Sequence, residues 1–139
     1  MINFFSETDF KLIEESNISK WIQLVSDSEN KKIGEINFIF CDDEYLLKIN
    51  QDYLDHDTYT DIISFDNTIG SELNGDIFIS IERVKENAVD FSVSFEEELR
   101  RVIIHGVLHF CGYKDKSEEE SVLMRKKEDE KLLLFHVEQ

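Results

Sequence analysis

The segment from Val102 to Cys111 is apolar almost all round, and only His105, Gly106 and His109 interrupt it. A helix without a polar face is a buried helix, so the rest of the chain must pack around this one. Ser94-Phe95-Glu96-Glu97 has the pattern of a capping box, which predicts where this helix begins. The segment therefore limits the fold to one with a helix inside its core.

Weaker periodic patterns surround this helix. Alternating apolar residues predict short strands near 2–5, 33–40, 61–65 and 77–81, and helical spacing predicts helices over 10–25, after Asp42 and near 84–91. Ser117-Glu118-Glu119-Glu120 is a second capping box and predicts the start of a last helix. The expected buried stripe of the helix after Asp42 comprises Leu46, Ile49 and Tyr53, and Gly70, Asn74 and Gly75 mark a turn region. This order of elements predicts an α+β fold, a single domain over residues 1–139 with a small mixed sheet of about four strands covered by helices.

The charge balance excludes several classes of function. The 139 residues carry 31 Asp and Glu against 15 Lys and Arg, a formal net charge of -16. This rules out a protein that binds nucleic acid through a broadly basic surface, and it argues against docking on an anionic membrane. No apolar run reaches transmembrane length, and the two cysteines predict free thiols in a reducing compartment. We therefore expect a cytoplasmic protein without a membrane partner.

The two histidines of the apolar helix form a candidate metal site. His105 and His109 are four residues apart, so both imidazoles lie on one helix face, about one turn apart. Gly112 lets the chain turn back, and Asp115 then comes within reach as a third ligand. Two histidines and an aspartate leave the fourth zinc position for water. The alternative is a pair of core histidines that bond to the backbone.

Gly106 stands where a zinc peptidase of the His-Glu-x-x-His type carries its general base. A metallopeptidase is therefore disfavoured. Glycine inside a helix costs about 1 kcal/mol relative to alanine, so the position needs a reason. Either a ligand approaches the backbone there, or the helix packs tightly on a strand.

The segment His105-Gly106-Val107-Leu108-His109-Phe110-Cys111-Gly112-Tyr113-Lys114-Asp115 resembles the hallmark of the YbeY family of bacterial metal-dependent endoribonucleases, His-Gly-x-Leu-His-x-x-Gly-Tyr-x-His. Upstream, Asn50, Tyr53 and Thr60-Asp61-Ile62-Ile63-Ser64-Phe65 match further family positions, as does Gly75-Asp76-Ile77. There are two departures: Asp115 replaces the third family histidine, and Leu54 occupies the position of a family arginine.

The resemblance implies a zincin-like fold and one zinc ion per chain, held by His105, His109 and Asp115. It implies a zinc-dependent endoribonuclease that cleaves single-stranded RNA in the maturation of small-subunit ribosomal RNA, with ribosomal or ribosome-associated proteins as further partners. The alternative is a ribosome-assembly factor whose metal is structural. Asp61 and His56, from the second matched segment, are candidate general bases. A strand-end cap and a solvated loop residue are their respective alternatives.

The remaining cations are candidates for a local RNA-binding track on an acidic body. Arg100 and Arg101 precede the histidines, and Lys114 and Lys116 bracket Asp115. If these side chains converge, they could bind phosphates. The alternative is ordinary pairing with glutamates on helix surfaces.

Overall fold

A computed structural model of the chain describes residues 1–54 and 59–137, with the side chains of 136 and 137 left out. Nine elements follow one another along these residues: β1 (Ile2–Ser6), α1 (Glu15–Ser28), β2 (Lys32–Cys41), α2 (Asp43–Leu54), β3 (Ile62–Asp66), β4 (Glu72–Ser80), α3 (Ile81–Asp90), α4 (Phe95–Phe110) and α5 (Glu118–Val137). No helix in the described part of the chain is long and apolar enough to cross a membrane.

The four strands form one mixed sheet in the order β1-β2-β4-β3. Strands β1 and β4 both pair with β2 in parallel, whereas β3 pairs with β4 in antiparallel register. The predicted small mixed sheet covered by helices is confirmed. Strand β3 is an edge strand, and its start lies beside α4.

Helix α4 lies at the centre of the hydrophobic core, as its apolar sequence predicts. Its buried side chains share one cluster with α1, α5 and the inner face of the sheet. A Cβ atom at Gly106 would lie 2.9 Å from the Cδ1 atom of Ile77 and 3.1 Å from that of Ile62. Tight packing of helix on strand therefore accounts for this glycine.

The connection between α4 and α5 turns the chain back toward α4. Gly112 ends the helix with a φ of 107°, a conformation that favours glycine. The second capping box is complete: the Ser117 Oγ accepts from the Glu120 N–H at 3.1 Å, and the Glu120 Oε1 accepts from the Ser117 N–H at 2.9 Å. These two local devices bring Asp115 over the last turns of α4.

Three expectations about local structure are wrong. Helix α1 begins at Glu15, so Phe10 precedes it, yet the half-buried Phe10 ring packs edge-on against Phe40 and Phe95. Tyr53 is 73% exposed, because α2 covers only part of the outer sheet face. Asn74 and Gly75 lie within β4 and not in a turn. A glycine also occurs inside a strand where a neighbouring backbone approaches closely.

Candidate metal centre and adjoining cleft

Three potential ligand atoms converge at the C-terminal end of α4. The Nε2 atoms of His105 and His109 are 3.0 Å apart, and the Asp115 Oδ2 lies 3.1 Å from the first and 3.4 Å from the second. Tetrahedral zinc with bonds of 2.0–2.1 Å places its ligand atoms roughly 3.3 Å apart. The triangle therefore has the size that such an ion needs. No other set of three His, Cys, Asp or Glu side chains in the described residues is arranged in this way.

Both histidines are oriented by hydrogen bonds at the other ring nitrogen. The Nδ1 of His105 lies 2.7 Å from the Glu128 Oε2, and the Nδ1 of His109 lies 3.0 Å from the Tyr113 carbonyl oxygen. Because both partners are acceptors, each Nδ1 carries the proton and each Nε2 presents its lone pair to the ligand triangle. This is the tautomer that metal binding requires.

Glu128 also sets the charge of His105. Burial by itself lowers the pKa of His105, but the hydrogen bond and charge of Glu128, with the charges of Asp115 and Asp61, outweigh burial and raise it. Glu128 in turn accepts from the Arg101 Nη1 at 2.9 Å. The Glu128 carboxylate therefore contacts both the metal-ligand candidate His105 and the cation Arg101.

Sequence reasoning missed Glu128. Its signal lies in the face of α5 that meets the core, where Met124, Glu128, Lys131 and Phe135 are each at most 5% exposed. A carboxylate on an otherwise core-facing stripe needs a partner. This spacing marks Glu128 as a buried acceptor without identifying the histidine that it contacts.

The loop that carries Asp115 is fastened to the rest of the fold through Tyr113. The Tyr113 hydroxyl donates to the Glu29 Oε1 at 2.7 Å, and the Glu29 Oε2 pairs with the buried Lys131 ammonium at 2.8 Å. Cys111 is partly buried against the core, and burial raises the pKa of its thiol to about 11. Tyr113 thus anchors the same loop segment whose carbonyl orients His109.

A cleft of about 340 Å³ opens beside the ligand triangle. His105, Asp115 and Glu128 form one end of it, and Asp61 lies in its wall just before β3. Burial raises the pKa of Asp61, and the nearby His105 in its protonated form and a 3.3 Å hydrogen bond from the Asn87 amide offset this only in part. Asp61 is therefore a cleft carboxyl with a proton affinity above that of an exposed aspartate. His56, the other candidate base, lies outside the described residues.

The four candidate RNA-binding cations do not form one track. Arg101 lines the cleft but pairs with Glu128 and Asp129. The guanidinium of Arg100 lies 4.4 Å from the ring centroid of Phe135, outside the cleft. Lys114 and Lys116 are exposed on either side of Asp115.

Arg125, a further cation on α5, also lines the cleft, and its side chain is 54% exposed. The family arginine position, Leu54, lies at the end of α2 and is 43% exposed. The cleft residues of the described chain therefore offer two guanidinium groups, those of Arg101 and Arg125.

Comparison with known proteins identifies the family of this chain. The sequence model of the family described as Endoribonuclease YbeY matches residues 3–136. A protein named Endoribonuclease YbeY from Christiangramia forsetii is 67% identical to this chain, and the match covers 99% of this chain and 96% of that protein. A protein of the same name from Flavobacterium psychrophilum is 66% identical, and the match covers 100% of this chain and 99% of that protein. The solution structure of TM1509 from Thermotoga maritima superposes with a TM-score of 0.71 at 26% identity, over 99% of this chain and 91% of that one. The chain belongs to the Endoribonuclease YbeY family.

Proposed function

We propose that the protein is a zinc-dependent endoribonuclease that cleaves single-stranded RNA and acts on small-subunit ribosomal RNA in the cytoplasm. Membership of the family supports a hydrolytic nuclease. The observation that carries the metal dependence is the triangle of His105, His109 and Asp115 atoms, whose edges fit tetrahedral zinc. We assign one zinc ion per chain to these three residues.

The described residues supply several parts of a hydrolytic site. Zinc, when bound, supplies a Lewis acid for a phosphoryl oxygen and for the attacking water. Glu128 and the Tyr113 carbonyl keep the protons on the two Nδ1 atoms, so the Nε2 atoms stay free to bind. Arg125, at the edge of the cleft, is placed to pair with a backbone phosphate.

Asp61 is the general base that we propose. It lines the same cleft as His105 and Asp115. Its carboxyl has a raised pKa, which makes it a better proton acceptor than an exposed aspartate. Its role is to accept the proton that water loses as it attacks the phosphodiester.

The main competing function is that of a ribosome-assembly factor with a structural metal. Structural zinc sites are closed by four protein ligands, whereas catalytic sites keep one position open. Here three side chains are brought together, the Asp115 side chain is 39% exposed, and the triangle borders a cleft. These features favour the enzyme.

The test is cleavage of a single-stranded fragment of small-subunit ribosomal RNA by the purified full chain, with zinc and with chelator. We expect cleavage that needs zinc and that His105→Ala abolishes. A folded His105→Ala protein that cleaves as fast as wild type would refute the metal-dependent nuclease. Glu119→Gln, an exposed change in the first turn of α5, is the matched control and should cleave normally.

A further inference from the structure

Glu98 is a buried acidic residue that is neither one of the three proposed metal ligands nor a hydrogen-bond partner of one. Its residue is only 4% exposed, and its side chain lines the cleft. Among the described residues, no hydrogen bond or ion pair reaches the Glu98 carboxyl, while its backbone N–H bonds normally within α4. Burial raises the pKa of this carboxyl, and the nearby charge of Asp61 raises it further. The carboxyl opens onto the cleft, where a ligand that brings a hydrogen-bond donor can reach it.

Glu98 and His105 lie on the same face of α4, seven residues apart. At 1.5 Å per residue, this separation is about 10 Å along the helix. Asp61 lines the same cleft and uses its Oδ2 to accept from Asn87. We call Glu98 and Asp61 the carboxyl pair. Glu98 therefore offers an acceptor in the cleft at a distance from His105.

The surroundings of the carboxyl pair suit a flat ring. Ile62, Val102 and Met124 give the cleft apolar walls, and the Phe91 ring, 56% exposed, stands at its side. Aromatic side chains of this kind stack on bases of single-stranded nucleic acid. Apolar walls with a few placed acceptors are typical of a small-molecule or nucleotide pocket.

We propose that the Glu98 carboxylate accepts a hydrogen bond from the exocyclic amino group of a nucleobase, with the phosphate of the same nucleotide toward Asp61 and the ligand triangle. This inference rests on the proposed function and names a substrate preference within it. Carboxylates accept from the N4 amino group of cytosine. Uracil presents a carbonyl oxygen at that position, which a carboxylate repels. The cleft therefore favours cytosine over uracil.

A second metal ion is the competing occupant of the carboxyl pair. Such an ion needs at least three ligand atoms close to one point. In the described residues, the only triad of His, Cys, Asp or Glu with ligand atoms within 4.8 Å of one another is His105, His109 and Asp115. The carboxyl pair does not meet that requirement, so the geometry favours a neutral donor.

The test compares CMP and UMP, which carry the same ribose and phosphate and differ only in the base. Calorimetric titration of the zinc-loaded full chain should show CMP binding at least about fivefold more tightly than UMP. Glu98→Gln keeps the shape of the side chain but offers a donor as well as an acceptor, so the ratio should fall to about one. Glu96→Gln, an exposed change on the same helix, should retain the wild-type ratio.

Phe91→Ala provides a second, exposed test position. It should weaken CMP and UMP by the same factor, because stacking is tolerant of the base. Equal binding of CMP and UMP by wild type would overturn the inference, as would an unchanged ratio in Glu98→Gln. A second zinc ion per chain that is lost in Glu98→Gln would overturn it too.

The titration needs no cleavage, because a mononucleotide has no phosphodiester bond. A CMP preference in a protein that does not cleave RNA would contradict the proposed function alone. Zinc-dependent RNA cleavage without a CMP preference would contradict this inference alone.

Discussion

Glu128→Gln tests whether a buried carboxylate on α5 controls the metal centre through His105. The substitution keeps an acceptor oxygen but removes the charge that faces the His105 Nδ1 at 2.7 Å. Partners of this kind contribute about 10- to 100-fold to metal affinity, or about 1.4 to 2.8 kcal/mol. We expect the upper half of this range, because the contact is short and Glu128 is only 5% exposed, so water screens the charge poorly.

The pH dependence of this effect has a definite sign. Burial lowers the pKa of His105, but Glu128 and the neighbouring aspartates outweigh it and raise the pKa. Zinc must compete with the proton at this imidazole. As the pH falls, the zinc affinity of wild type therefore begins to decrease at a higher pH than that of Glu128→Gln does. The difference in zinc affinity between wild type and Glu128→Gln should be largest at about pH 8 and smaller at about pH 6.

The assay is competition for zinc between the full chain and a chromophoric chelator at both pH values. Asp129→Asn is the matched control, because Asp129 pairs with the same Arg101 at 2.8 Å and is an exposed neighbour of Glu128. We expect the control to change zinc affinity by less than about twofold. Zinc affinity of Glu128→Gln within about threefold of wild type near pH 8, or an equal loss in Asp129→Asn, would refute the reasoning.

Three further predictions concern stability and cleavage. Asp61→Asn should slow RNA cleavage yet raise the urea midpoint at neutral pH. Burial raises the pKa of Asp61, so its contribution to stability is present at low pH and lost as pH rises; equal midpoints at neutral pH would contradict this. Gly75→Ala should cost about 3 kcal/mol or more, because φ is 155° and the new Cβ would press on the Phe65 carbonyl oxygen. Gly70→Ala, with a φ of 60° and open space, should cost only about 1 to 2 kcal/mol, and similar urea midpoints for the two variants would refute the packing argument. Zinc at about 1,000 times its Kd should stabilise the chain by about 4 kcal/mol, and His109→Ala should remove the shift in Tm; a shift that persists would place the ion elsewhere.

The elements that could be predicted from sequence are those that local rules define. Ser94 begins α4 as its capping pattern predicts, because its Oγ accepts from the Glu97 N–H at 3.1 Å. The helical pitch alone places His105 and His109 on one face. Phe10 and Tyr53 show where periodicity fails, since the same apolar spacing occurs at a half-buried loop residue and at an exposed helix residue.

Most of the residues around the metal centre depend on contacts between distant parts of the chain. Glu128 meets His105 across 23 residues, and Asp61 reaches the same cleft because β3 lies at the sheet edge beside α4. No spacing rule connects these positions, since their separation in the chain does not limit their separation in space. Arg100 and Arg101 are neighbours in sequence, yet only Arg101 lines the cleft.

The sequence by itself determined a buried helix, a histidine pair at ligand spacing and a glycine turn that returns an aspartate to that pair. Each of these follows from interactions within one turn or one loop, which short segments specify on their own. The tertiary structure alone decided which carboxylate orients His105, which arginines face the cleft and that Glu98 lines the cleft without a protein donor. Those contacts exist only after α4, α5 and the sheet have packed together, because burial and partnership are properties of the assembled core.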